Sequence, residues 1–149
     1  MDQEEKRDRQ MLELLNELRV ALPGVQILLA FLLTVPFAQG FQRVTDTQRT
    51  MYYATLIATT LSTICLIAPG ATHRLRFHQS DRAYIVETAN KYMIAGLVFL
   101  GIAIVLAIAT VTDYLYDHWI VWAAPAAVAV ALASLWFIRP LTRRKSSGP

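Results

Sequence analysis

A chain of 149 residues, 55% of them hydrophobic and 17% charged, falls short of the roughly one quarter of charged residues usual in a soluble domain. Its charges crowd into the N-terminus, two interior loops and the C-terminus, leaving long apolar stretches that point to a polytopic membrane protein rather than a soluble one. A single cysteine, Cys65, excludes an intramolecular disulfide or a cysteine-built metal cluster within one chain. The modest net charge of +3 sits at the borders of the apolar stretches, which suits lipid contact and no nucleic acid.

In chain order, residues 1–22 read as an amphipathic helix at the cytoplasmic face. Met11, Leu14, Leu15, Leu18 and Leu22 recur at helical spacing, with Glu13, Asn16, Glu17 and Arg19 largely elsewhere. Asp2 with Glu5 resembles a capping box. The apolar stripe fits the headgroup layer or a partner helix. Pro23 suits the first turn of a second helix, and Gly24 leaves room for a bend between the two.

The expected fold is all-α: that helix, then a four-helix transmembrane domain over residues 23–138, then a basic cytoplasmic tail over residues 139–149. The spans are placed at 23–39, 50–68, 92–112 and 119–138. Each is close to the ~20 residues that cross ~30 Å of hydrocarbon, and backbone groups in lipid must pair internally, so each has to be a helix. A cleaved signal peptide is rejected, because a long amphipathic region of mixed charge precedes the first span. Pro36 and Pro125 are expected to kink or end the first and last spans.

Four spans place Lys6, Arg7, Arg9, Arg19, Arg74, Arg76, Arg82, Lys91, Arg139, Arg143, Arg144 and Lys145 on one face. Only Arg43 and Arg49 fall on the other. The positive-inside rule makes the first face cytoplasmic, with both termini there, in a bacterial plasma membrane. Arg139, Arg143, Arg144 and Lys145 are the expected contacts with anionic lipid. Tyr52, Tyr53, Tyr114, Tyr116, Trp119 and Trp122 form the outer aromatic border, with Tyr92 and Trp136 at the inner one.

Within the spans, small and hydroxylated residues mark helix faces. Ala123, Ala127 and Ala131 form one stripe, and Gly96, Leu100, Ala103, Ala107 and Thr110 another. Thr55, Thr59 and Thr63, with Ser62 beside them, suit back-bonding to i−4 carbonyls or contact between helices better than a pore lining. Outside the spans, Glu87 and Lys91 stand at ion-pair spacing on a helix.

No span holds Asp, Glu, Lys, Arg or His, and apart from Gln39 at the last position of the first span, Gln26 is the one strong amide, about one turn inside the cytoplasmic border. His73 and His78 are five apart and would diverge on a helix, so they do not make a metal site alone. No phosphate loop, nucleophile elbow or paired-histidine helix is present, and no cofactor is implied. An enzyme reading has no residues to stand on.

The stretch from Glu17 to Phe37 (ELRVALPGVQILLAFLLTVPF), Thr45-Asp46, Gln48-Arg49, Tyr52, Ala54-Thr55-Leu56, and the stretch from Ile67 to Phe77 (IAPGATHRLRF) resemble a family of small actinobacterial four-helix membrane proteins of unknown function. Its members are often labelled sodium:proton antiporters. The resemblance implies a cytoplasmic-border cluster of Glu17, Arg19, Gln26, His73 and Arg74, with Glu17 pairing to Arg74 or Arg76. The chain departs from the pattern after Phe77, where His78-Gln79 stands in place of a further basic residue. The expected role is a non-enzymatic accessory or scaffold bundle that self-associates or joins a larger membrane complex. The second reading is a small oligomeric transporter or channel exchanging monovalent cations for protons.

Overall fold

The computed structural model describes residues 3–75, 82–116 and 119–138, and every regular element among them is helical. Helix α1 (Gln3–Thr34) runs through Pro23 and Gly24, so the division expected between residues 22 and 23 is absent. The reason is local. Proline φ is already helical, and Pro23 withholds only the N–H that would meet the Arg19 carbonyl. Both residues are exposed, so that carbonyl lies on an open side of the helix. Pro36 does end α1, as expected: Thr34 is its last residue, and Val35–Phe37 tightens into a 3-10 turn with the proline in its first positions.

A second 3-10 turn (Gln39–Arg43) leads to α2 (Asp46–Leu75), which continues past Pro69 and so outlasts the predicted second span at both ends. Helix α3 (Arg82–Leu115) also exceeds its span. Helix α4 (Ile120–Ala133) contains Pro125 and passes into a π-helical turn, Ser134–Ile138. Among the described residues, three helices are long and apolar enough to cross a membrane: Leu12–Phe37, Asp46–Ala71 and Glu87–Leu115, of 26, 26 and 29 residues. At about 1.5 Å per residue each exceeds the ~30 Å of a hydrocarbon core. The fourth apolar helical stretch, Val121–Trp136, is shorter.

The chain divides into two units, Met1–Phe41 with Leu56–Leu100, and Gln42–Thr55 with Gly101–Pro149. In the first, Leu18, Val25 and Leu66 form a buried core against which Leu15, Ala21, Leu22, Met93 and Leu100 pack. Leu15, Leu18, Leu22 and Val25 follow a 3-4-3 spacing, the seam of one helix packed along another. Leu15, Leu18 and Leu22 of the N-terminal segment are thus part of an internal core.

Helices α2 and α3 meet closely at Gly96. A methyl group there would lie 2.7 Å from both Cγ and Cδ2 of Leu66, a side chain with no exposed surface. The Ser62 hydroxyl donates across the same contact to the Gly96 carbonyl at 2.7 Å. Ala103, on the same stripe of α3, is fully buried too. This small-residue face therefore packs inward, as its composition leads one to expect.

In the second unit, Pro125 removes the N–H that would pair with the Val121 carbonyl. The Thr112 hydroxyl lies 3.1 Å from that oxygen, and also 2.8 Å from the Ile108 carbonyl and 3.1 Å from that of Ala109. One proton serves these acceptors, and Val121 is the one whose helical donor the proline has deleted. A threonine covering a proline-freed carbonyl is what apolar surroundings require. Thr112→Val should therefore lower stability by about 0.6–1.7 kcal/mol. In a Pro125→Ala background, where the N–H returns, the same change should do less. Denaturant titration of the four proteins in detergent measures that coupling.

Candidate functional site

Glu17, Arg19 and Gln26 all lie on α1, and all three are exposed. Arg19 and Gln26, seven residues apart, share a face, whereas Glu17 points elsewhere. His73 and Arg74 occupy the last turn of α2, and their side chains, like Arg76, lie outside the described residues. The expected pairing of Glu17 with Arg74 or Arg76 therefore falls outside them, as do the basic residues Arg139, Arg143, Arg144 and Lys145. Beside α1 runs an open recess of about 520 Å³ flanked by Arg9, Leu12, Glu13, Leu15, Asn16 and Arg19. Arg9 is paired with Glu13 there at 3.4 Å. That pair is exposed at both ends and contributes little.

A better-built polar cluster lies elsewhere. Thr45 and Gln48 form a reciprocal cap at the start of α2: the Gln48 N–H donates to Thr45 Oγ1 at 3.2 Å, and the Thr45 N–H donates to Gln48 Oε1 at 3.1 Å. This satisfies two of the donors that a helix start leaves without partners. The cap also orients the amide, because an N–H must face Oε1. The Gln48 Nε2 group is thereby directed to the end of α3, where it donates to Asp113 Oδ2 at 2.9 Å and to the Asp113 carbonyl at 3.2 Å. Gln48 is 7% exposed.

One buried side chain thus closes the N-terminus of α2 and the C-terminus of α3 together. Both amide hydrogens are engaged, one of them by a carboxylate, and such charged bonds are the stronger kind. Chemically the cluster is a clasp. Asp113 lies one residue beyond the third span placed at 92–112, and Gln48 entered only through the family likeness. The local signal was there in Thr45-x-x-Gln48 ahead of an apolar run, a capping-box pattern. The partner 65 positions away had no such signal.

The hydroxyls of the apolar helices are engaged as well. Thr55, Thr60, Thr63 and Thr110 each donate to the carbonyl four residues before, all at 2.8 Å. Thr55, Thr59 and Ser62 are buried. Glu87 and Lys91 form the expected pair at 2.9 Å. At the aromatic border Tyr53, Tyr114, Tyr116, Trp119 and Trp122 are exposed, but Tyr52 is buried, because it falls on the inward side of α2 with Thr55 and Thr59. The stripe of Ala123, Ala127 and Ala131 is exposed along its length, whereas on α3 Gly96 and Ala103 are buried and Leu100, Ala107 and Thr110 half-buried. Among the described residues no three His, Cys, Asp or Glu side chains converge as a metal would require.

These features define an all-helical protein with helices of membrane-crossing length, in which Thr45 and Gln48 cap and clasp helix ends and several threonines back-bond. The chain belongs to a family of unknown function, DUF6328, whose model it matches over residues 2–140. No curated protein and no solved structure matches it.

Proposed function

We propose that the protein is a four-span helix bundle of a bacterial plasma membrane, with both termini cytoplasmic, that acts by assembly rather than by catalysis. It is an accessory or scaffold subunit that self-associates or joins a larger membrane complex. The observation that supports this is the outward Ala123, Ala127 and Ala131 stripe of α4. Lipid tails offer helices no hydrophobic drive to associate, so close approach of small residues supplies it. The shorter fourth helix spans about 24 Å at 1.5 Å per residue, a mismatch that the π turn or local bilayer thinning accommodates. The basic tail from Arg139 to Lys145 holds the cytoplasmic end against anionic lipid, at about 1 kcal/mol per cation.

In mild detergent the wild-type protein should run larger than a monomer, and Ala127→Leu, which thickens the stripe, should shift it toward the monomer. A wild-type protein that is a monodisperse monomer, unchanged by Ala127→Leu and bringing down no membrane partner, would overturn the reading. The exchange of monovalent cations for protons is the second reading, favoured by the half-buried Asp113 carboxylate held by Gln48. Proteoliposomes under an imposed ion or pH gradient decide it. Flux above that of empty vesicles, abolished by Asp113→Asn, would bring transport to the front.

A further inference from the structure

We infer that Gln26 joins two copies of this chain through a reciprocal amide pair between their α1 helices. The inference rests on the membrane-bundle reading above and names one contact of its assembly.

Gln26 lies in the apolar stretch Leu12–Phe37, between Val25, which has no exposed surface, and Ile27, which is 59% exposed. Its own side chain is exposed and forms no hydrogen bond with the described residues. Asn16 and Asn90 are exposed too, but they stand nearer the charged ends of their helices, beside Glu17 and Lys91. Polar side chains further in are engaged: Thr55, Thr60, Thr63 and Thr110 donate to their own helices, Ser62 to a neighbouring one, and Thr112 lies against carbonyls of its own helix and of the next.

Depth makes the difference matter. Arg19 is on the same face, seven residues earlier, so Gln26 sits about 10 Å further along the axis. The headgroup zone on one side of a bilayer is only about 5–8 Å thick. With the Arg19 guanidinium among headgroups, the Gln26 amide falls at the edge of the hydrocarbon. A bare amide in such surroundings is costly until it finds a partner.

The electrostatic complement of a primary amide is another primary amide, since each carries a carbonyl acceptor and two N–H donors. All copies of a membrane protein share one orientation, so a two-fold axis along the membrane normal brings each residue opposite its own counterpart at equal depth. A second copy therefore supplies a donor and an acceptor at the height of Gln26, which a foreign helix would have to match by design. Ala30, one turn on and exposed, leaves room for the second helix. Arg19 would face its like across the axis, but its long stem lets the charge splay into anionic headgroups.

The test uses the full chain in its native membrane, with Cys65→Ser as background. Ala30→Cys should give disulfide-linked dimers on oxidation. Phe31→Cys, exposed but about 140° round the helix from Gln26, should give few. Gln26→Leu should cut the Ala30→Cys yield several-fold and weaken dimerisation between fluorophore-labelled copies in liposomes by about tenfold. Gln26→Asn should restore part of it. Since Gln26 is exposed, the leucine variant should melt with the wild type. Undiminished cross-linking in Gln26→Leu, or equal yields at positions 30 and 31, overturns the inference. If Ala127→Leu disperses an oligomer that Gln26→Leu leaves intact, the assembly reading stands and this contact is wrong. A wild-type monomer in both assays overturns this contact and self-association alike.

Discussion

Gln48→Leu should lower stability by about 2–4 kcal/mol. Losing the side-chain half of the cap at α2 accounts for about 1. Losing the bond to the Asp113 carboxylate accounts for about 1.5–3, because hydrogen bonds to charged groups are the larger ones and the carboxylate keeps its desolvation. A buried leucine returns only part of this. Asp113→Asn retains an oxygen for Gln48 Nε2 and should change stability far less. Gln48→Glu separates the two roles. The new carboxylate still accepts from the Thr45 N–H, but it now faces Asp113, and two carboxylates at one site cannot both stay ionised cheaply. Folding then raises the proton affinity of the pair above that of the unfolded chain, so acid favours the folded state. Gln48→Glu should therefore be as damaged as Gln48→Leu at neutral pH and recover on acidification. Denaturant midpoints across pH in detergent measure both effects.

Gly96→Ala should be the second large loss, at about 1–2 kcal/mol. Two terms compete. Alanine gains about 1 kcal/mol of helix propensity over glycine. Against it, the added methyl would stand 2.7 Å from two carbons of Leu66, one of them the branch carbon Cγ. Leu66 has no exposed surface into which to retreat, and overpacking of this kind costs about 1–3 kcal/mol. Separating the helices would also lengthen the Ser62 bond to the Gly96 carbonyl, so the clash wins. Gly101→Ala, five residues along the same helix, is the control. Its methyl would meet Leu132 Cδ1 at 3.9 Å and Trp136 Cζ3 at 4.0 Å, ordinary contact, so propensity decides and stability should rise slightly. Thermal unfolding in detergent should rank Gly101→Ala above wild type and Gly96→Ala below it. In a Leu66→Ala background the Gly96→Ala loss should shrink.

How far the sequence reveals this architecture depends on the kind of signal. Apolar runs bounded by charge mark three membrane-length helices close to where they lie, because lack of charge over that length is hard to arise otherwise. The same reasoning undershoots helix ends. Asp46, Gln48, Glu87 and Asp113 are polar yet helical, since composition tracks a solvent boundary while helices continue beyond it. Pro23 reads as the start of a second helix but sits inside one, where it withholds one hydrogen bond from a long ladder. Periodicity found both small-residue stripes but not what covers them: that of α3 is buried at Gly96 and Ala103 and half-buried elsewhere, whereas that of α4 is exposed. The Gln48–Asp113 clasp was half legible, in a local capping motif. Its other half required knowing that two helix ends meet.

The bundle reading stands on where the chain crosses the membrane. Single cysteines at Glu5, Thr47, Glu87 and Tyr116, in a Cys65→Ser background, should be probed with a membrane-impermeant maleimide on intact cells. Thr47→Cys and Tyr116→Cys should label, while Glu5→Cys and Glu87→Cys should react only after the membrane is opened. Labelling of Glu5→Cys and Glu87→Cys from outside, or of Glu87→Cys and Tyr116→Cys from the same side, would contradict it.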